Sequence, residues 1–226
     1  MSLTFGSLFA GIGGFDLGLE RAGMECRWQV EIDDYCQRVL AKHWPDVKRY
    51  GDVRNVGKHN LEPVDLICGG FPCQDISELG KRAGIQGRRS RLWAEFYRII
   101  CELRPRFVLV ENVSDLLVRG MGAVLGDLAR CGYDATWQLL PASAFGLPHL
   151  RERAFIVAYP SGTEQGFGWD TLGPEIEVAD WKRFLSPDRK RKDNGIPHRV
   201  DRLRALGNAV APPAVEFIGR RIMEAS

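Results

Sequence analysis

Six short apolar runs punctuate this chain, and stretches with helical spacing stand between most of them. The runs are LTFGSLF (3–9), CRWQVEI (26–32), VDLIC (64–68), FVLV (107–110), WQLL (137–140) and AFIVA (154–158). Runs of this length, bounded by glycine, proline and charged residues, read as strands and not as helices. Residues 15–22 have helical spacing, with Phe15, Leu17, Leu19 and Ala22 apolar. Further helices are predicted at 34–43, 91–103 and 121–131, the last stopped by Gly132, and at 213–223. Strands alternating with helices predict an α/β fold, a mostly parallel sheet with helices on both faces.

The alternation fails from Tyr159 to about Asn194, where Pro160, Gly162, Gly166, Gly168, Gly173, Pro174 and Pro187 break any period. This divides the chain into residues 1–158, an irregular insertion at 159–194, and a returning segment at 195–226. With 226 residues, 45% of them hydrophobic, the chain can bury one sizeable core. No apolar run reaches the roughly 18 residues of a membrane span, and no basic region precedes the first apolar residues, so a cytoplasmic protein is expected. Cysteines at 26, 36, 68, 73, 101 and 131 lack metal-site or CxxC spacing. Neither zinc nor a disulfide framework is expected; most should be reduced, and several should be core residues. A net charge of +2 says nothing about nucleic acid, but the basic residues are locally clustered.

Two strand ends carry the chemistry. The first strand ends in Phe9-Ala10-Gly11-Ile12-Gly13-Gly14, a glycine turn opening a helix. Such turns let backbone approach a ligand at a helix N-terminus. The dinucleotide pattern GxGxxG is half met, with Asp16 where the third glycine belongs, and an acidic residue at the cofactor position would repel a pyrophosphate. Glu31 lies about 20 residues on, where a carboxylate can bind ribose hydroxyls. A nucleoside cofactor without a pyrophosphate fits; a plain tight turn and an exposed Glu is the alternative. The run VDLIC ends in GGFPCQ, presenting Cys73 at a carboxyl strand end, where α/β sheets bind ligands. A lone cysteine is more often core, and a nucleophilic one must be activated. Glu111-Asn112 follows FVLV at another strand end. A Glu beside a thiolate makes sense if it is protonated and hydrogen-bonds a substrate. Arg151 and Arg153, two apart at the start of a strand, should share a face and supply positive charge; surface arginines are the alternative.

These motifs coincide in order with those of one family. The segments SLFAGIGGFDLGLE, VEID, GDV (51–53), GGFPCQDIS, GKRAGIQGRRSRLW, LVENV, FGLPHLRERAFIVA and GNAVAPPA resemble the cytosine-C5 DNA methyltransferases over nearly all of 3–158 and about 195–222. The resemblance implies a Rossmann-like class I methyltransferase fold. It implies S-adenosyl-L-methionine as cofactor and S-adenosyl-L-homocysteine as product. Phe9, Ala10, Gly11, Ile12, Gly14, Ile32 and Val53 would line the cofactor pocket, with Glu31 on the ribose, Asp52 on the adenine amino group, and Pro72, Leu92, Asn208 and Ala209 closing it. The last helix would pack beside the first. A cytosine flipped out of the duplex would be attacked by Cys73 at ring carbon 6. Glu111 would hydrogen-bond ring N3, Arg153 would orient or activate the cysteine, and Arg151 would contact base or backbone. The glycines before Pro72 would leave room for the cofactor's sulfonium end. Gln74, Ser77, Lys81, Arg82, Arg88, Arg89 and Arg91 would contact double-stranded DNA from a loop closing over the flipped base. No metal is implied.

Two departures stand out. His149 replaces the family's usual Gln. The region between RER and GNAV, usually far longer, has about 35 residues here, with aromatics Phe167, Trp169, Trp181 and Phe184 and the basic run 189–192. Trp169 and Trp181 should anchor it to the catalytic domain. Other readings of the chain are a DNA-binding or regulatory homologue without turnover, a tRNA cytosine methyltransferase and, weakest, a nicotinamide dehydrogenase. A bacterial or phage-encoded enzyme, with or without a cognate restriction endonuclease, fits the leading reading.

Overall fold

The computed structural model describes residues 2–72, 91–163, 167, 169, 201, 205, 206 and 208–226, Arg91 by its backbone alone. Five strands come first in chain order: β1 (Thr4–Leu8), β2 (Glu25–Val30), β3 (Lys48–Tyr50), β4 (Leu66–Gly69) and β5 (Phe107–Val113). Two longer strands follow, β6 (Tyr133–Pro141) and β7 (Glu152–Pro160). The helices are α1 (Gly14–Arg21), α2 (Asp34–His43), α3 (Arg91–Leu103), the single turn α4 (Leu116–Arg119), α5 (Met121–Arg130) and α6 (Pro212–Glu224). One seven-stranded sheet has the order β3-β2-β1-β4-β5-β7-β6. The first five strands are mutually parallel, and β7 runs antiparallel to both β5 and β6.

The central strands show why this sheet needs helices on both sides. Leu66 and Cys68 of β4, with Phe107 and Leu109 of β5, face one core; α1 supplies Phe15 and Leu19 there, and α6 supplies Ala214, Val215, Ile218 and Ile222. Ile67, Val108 and Val110 face the other core, against Trp93, Phe96, Ile99 and Ile100 of α3 and Val124 and Leu128 of α5. A strand buried on both faces reads as a continuous apolar run, which is how VDLIC and FVLV stood out. Edge strands are half-exposed. That is why β3 escapes the sequence pattern, and why β6, buried only at Tyr133 and Leu140, shows only its WQLL portion.

The first and last helices meet at small residues. A β-carbon on Gly18 would lie 2.6 Å from that of Val215, and one on Gly219 would lie 2.8 Å from that of Ala22. Only glycine permits this approach, and it bears out the expected pairing of the two ends. The helical reading of 15–22 needs one change. Leu17 is among the exposed hydrophobics, whereas Asp16 is fully buried. A second change concerns the cysteines. Cys26, Cys36 and Cys68 are buried, as expected, and outside any disulfide, but the sulfurs of Cys101 and Cys131 are bonded, joining the end of α3 to the residue after α5. Their Cα atoms are 5.9 Å apart.

Among the described residues, no helix is long and apolar enough to cross a membrane, and no cluster of His, Cys, Asp or Glu could hold a metal. Most of the irregular insertion lies outside the described residues. Of its aromatics, Phe167 is buried and meets Trp169 edge-on, with ring centroids 5.0 Å apart, both against the α1/α6 core. Trp181 and Phe184 lie outside the described residues.

Candidate active site

Register brings the strand ends together. Leu8 pairs with Gly69, and Gly69 with Val110, so Phe9, Gly70 and Glu111 emerge side by side at the carboxyl edge of the sheet. At the first of these exits the chain turns sharply. Phe9 has φ 54° and its ring packs on Phe96, while Gly11 and Gly13 have φ 56° and 86°. A β-carbon at Gly11 would meet nothing within 4 Å, so the turn presents bare backbone to open space. Ala10 is buried, and its N–H is held by the carbonyl of Val30. Gly14, on the opposite side, is covered by Val210, whose Cγ1 would lie 2.8 Å from an added β-carbon.

Glu31 follows β2 and binds this turn directly. One carboxylate oxygen accepts from the N–H of Gly11 at 2.7 Å, and the other accepts from the N–H of Asp33 at 2.8 Å. The exposed-Glu alternative therefore fails: the carboxylate is built into the turn, with lone pairs left for further donors. Ile32 beside it is 66% exposed, an apolar platform at the mouth of the turn. Asp52 caps the short helical turn Val53–Asn55, and both its oxygens accept from Arg54, which holds its pKa below the ordinary carboxylate range. Val53 is buried. Leu92 packs against the α3 core, and Ala209 donates to the carbonyl of Ala205 beside the exposed Asn208. Pro72 is exposed at the sheet edge. Cys73, Gln74, Ser77, Lys81, Arg82, Arg88 and Arg89 lie outside the described residues, as does the side chain of Arg91.

Glu111 is buried at the end of β5, and the Nε of Arg153 lies 3.0 Å from its carboxylate. Burial raises its pKa to about 7, although Arg153 and Arg151 both pull the other way. Desolvation of the charged form outweighs the two cations. Arg151 and Arg153 flank one small cavity with Leu140, Ala142, Phe155 and Ala214, so they do share a face. Burial, and next the neighbouring Arg153, lower the pKa of Arg151. His149 is exposed, its backbone N–H turned onto the carbonyl of Leu147.

The two glycines before Pro72 lie against the neighbouring strands. A β-carbon at Gly70 would lie 2.7 Å from the carboxylate of Glu111, and one at Gly69 would lie 2.5 Å from the carbonyl oxygen of Leu8. They make room for the neighbouring strand ends. Two further residues brace the site: Asn112, the partner of Glu111 in the ENV motif, and Arg98, which carries no sequence signal of its own. Asn112 donates from its amide to the carbonyl of Phe71 at 2.9 Å, fixing the chain one residue before Pro72. Arg98 of α3 donates to the carbonyls of Val53 at 3.2 Å and Val56 at 2.7 Å, and pairs with Glu95 and Glu102. It fastens the Asp52 turn to the helix that carries Leu92.

Comparison with known proteins identifies the family. The sequence profile of the C-5 cytosine-specific DNA methylases matches residues 3–196. Type II methyltransferase M.BsuFI of Bacillus subtilis is 34% identical over 219 residues, covering 89% of this chain and 53% of M.BsuFI. M.AquIA of Picosynechococcus is 33% identical over 199 residues, covering 79% of this chain and 80% of the relative. M.HhaI of Haemophilus parahaemolyticus is 34% identical over 161 residues, covering 70% of this chain and 49% of M.HhaI. The chain thus spans about half the length of two of these three. Among solved structures, a prophage-encoded DNA modification methyltransferase of E. coli superposes with a TM-score of 0.62 at 28% identity, over 76% of this chain and 51% of that one. The Dnmt2 methyltransferase of S. pombe, at 19% identity and TM-score 0.64, covers 83% of this chain and 62% of its own, and shares the fold. With a profile match across residues 3–196, the chain belongs to the C-5 cytosine-specific DNA methylase family.

Proposed function

We propose that this chain methylates carbon 5 of cytosine in double-stranded DNA, using S-adenosylmethionine and a covalent Cys73 adduct with a flipped base. The observation that carries the proposal is the juxtaposition of a bare glycine turn, clasped by Glu31, with a buried Glu111 at the next strand ends. The turn fits the cofactor. Its backbone is open at Gly11, Glu31 keeps lone pairs for ribose hydroxyls, and Ile32 offers an apolar face to a purine. Ala10, Ile12, Gly14, Asp52, Val53, Pro72, Leu92, Asn208 and Ala209 complete the site in this reading. Bound there, S-adenosylmethionine supplies an electrophilic methyl group and leaves as S-adenosylhomocysteine.

The chain's own groups do the rest. The thiolate of Cys73 adds to carbon 6 of the extruded cytosine, making carbon 5 nucleophilic. Glu111, with a pKa near neutrality, holds a proton toward ring N3 and offsets the charge that develops on the ring. Arg153 fixes the Glu111 carboxyl, and Arg151 adds positive charge at the same face. After methyl transfer a base removes the carbon-5 proton, and Cys73 is expelled with the electron pair of its bond to carbon 6. Lys81, Arg82, Arg88, Arg89 and Arg91, with Gln74 and Ser77, grip the duplex around the extruded base. The relatives' Type II names point to a cognate restriction endonuclease as the associated activity.

The test is transfer of labelled methyl from S-adenosylmethionine to duplex DNA, with tRNA in a parallel reaction. DNA labelling is expected. Cys73→Ser should abolish it while cofactor binding survives, because the hydroxyl is a far weaker nucleophile in an unchanged pocket. Full activity in the serine variant would overturn the mechanism, and labelling of tRNA alone would overturn the substrate.

A further inference from the structure

Asp16 occupies the position where a dinucleotide turn has its third glycine, the one that lets helix and strand pack closely. It does not point into the turn's open side. Its side chain is fully buried beneath α1 and bonded to both neighbouring strands. Ser7 Oγ of β1 donates to it at 3.2 Å, and Gln29 Nε2 of β2 at 2.8 Å; Cys26 Sγ of β2 lies 3.5 Å away. Gln29 is itself fully buried, and its Oε1 has no hydrogen-bond partner. A buried orphan acceptor is costly, and beside a carboxyl group it marks a place where a second arrangement has its partner ready.

We infer that Asp16 is a positioning residue of the cofactor turn, tying α1 to β1 and β2 in one hydrogen-bond arrangement as the carboxylate and in another, with Gln29, as the acid. The role rests on the function proposed above, and it gives the missing third glycine a physical replacement. Where a glycine brings helix and strand into contact, a carboxyl here spans the gap with hydrogen bonds. As the carboxylate it accepts from Ser7, Cys26 and Gln29 together. As the acid it must donate, and the waiting acceptor is Gln29 Oε1, so the amide turns over and the tie beneath Gly11–Gly14 changes.

Burial raises the pKa of Asp16 to about 6, against the hydrogen bonds from Gln29, its own backbone, Cys26 and Ser7. Among the described residues, no cation takes part. Cys26 and Cys68, the titratable groups facing it from β2 and β4, are themselves pushed up by burial and stay protonated. Glu20 acts on Cys26 from the same helix, and on α6 the charges of Glu216 and Arg220 pair with each other.

Calorimetry of S-adenosylmethionine binding from about pH 5 to 8 tests the inference, in a Glu111→Gln background so that Glu111 does not titrate. Affinity should fall roughly fivefold as pH drops through the Asp16 transition. Adding Asp16→Asn, which carries a permanent amide donor for Gln29 Oε1, should hold affinity at the low-pH value throughout. A pH-independent affinity in the parent, or an Asn variant binding as tightly as its parent at alkaline pH, overturns the role. Should the Asn variant not fold, carbon-13 NMR of the Asp16 carboxyl in the parent decides: titration at the ordinary Asp value overturns it. A parent that binds no S-adenosylmethionine at any pH sinks the proposed function together with this role. Binding without the pH effect sinks this role alone.

Discussion

Glu111 sits between opposing forces, and its titration is the simplest observable of the site. Water is excluded from it, which favours the acid, while Arg153 at 3.0 Å favours the carboxylate; burial wins. A carboxyl with a raised pKa contributes stability that is fully present below its unfolded value and is lost as pH rises through its folded one. Unfolding free energy should therefore decline between about pH 4.5 and 7, and Glu111→Gln should make that decline shallower, leaving the part that Asp16, raised to about 6, contributes. Urea titrations of both proteins across this range check it; parallel pH profiles would place Glu111 in water. Methyl transfer should weaken above about pH 7 as the proton toward ring N3 is lost. At this scale the sequence was legible where function sits in a motif. Glu31 and Glu111 were found from strand ends and spacing, and the structure places both at the carboxyl edge of the sheet. Asn112 was found with Glu111 but not its bond to the carbonyl of Phe71; Arg98 and Gln29 were not found, because they act on backbone carbonyls or buried partners that no spacing reveals.

Elements are joined here by a few specific contacts. Arg98 links α3 to the turn after β3 through two carbonyls and two carboxylates. Arg98→Lys keeps the charge but cannot form the same fork, so it should lose much of what Arg98→Ala loses. The alanine change should cost about 1–3 kcal/mol, because the carbonyls of Val53 and Val56 lose their charged donor. It should also weaken S-adenosylmethionine binding more than DNA binding, as calorimetry with each ligand can establish. Equal loss of both would make Arg98 a general brace. The α1–α6 contact gives a sharper case. Gly18→Val would drive a side chain into Val215 and into the carbonyl of Pro212, where no rotamer relieves the overlap. Destabilisation of roughly 1–3 kcal/mol, read from the midpoint of thermal unfolding, is expected. Central strands and long helices were visible from their apolar periods. The edge strand β3 and the one-turn α4 were not, since three or four residues carry no period.

For the whole molecule the open question is sequence discrimination. Phosphate contacts position a protein on DNA, and base-edge contacts discriminate. The region available for base contacts is short and rich in glycine and proline, and its Phe167 and Trp169 are already used against the core. Methylation mapping on a random duplex pool should give a recognised site of a few base pairs with slow turnover; a strong preference over a long site at normal turnover would contradict this. Replacing Arg88, Arg89 and Arg91 with alanine should flatten the salt dependence of DNA affinity, by about 0.9 in log–log slope for each lost phosphate contact. The meeting of the two ends of the described fold also bears on how the protein is made. Val210 covers Gly14, and Val215 lies against Gly18, so one wall of the glycine turn comes from residues synthesised nearly 200 positions after the other. At ribosomal rates of about 5–20 residues per second, the turn leaves the exit tunnel roughly ten to forty seconds before its wall does. A nascent chain stalled before Val210 should therefore carry a formed β1 and α1 and still fail to retain cofactor, which makes ligand capture a late event in the birth of this protein.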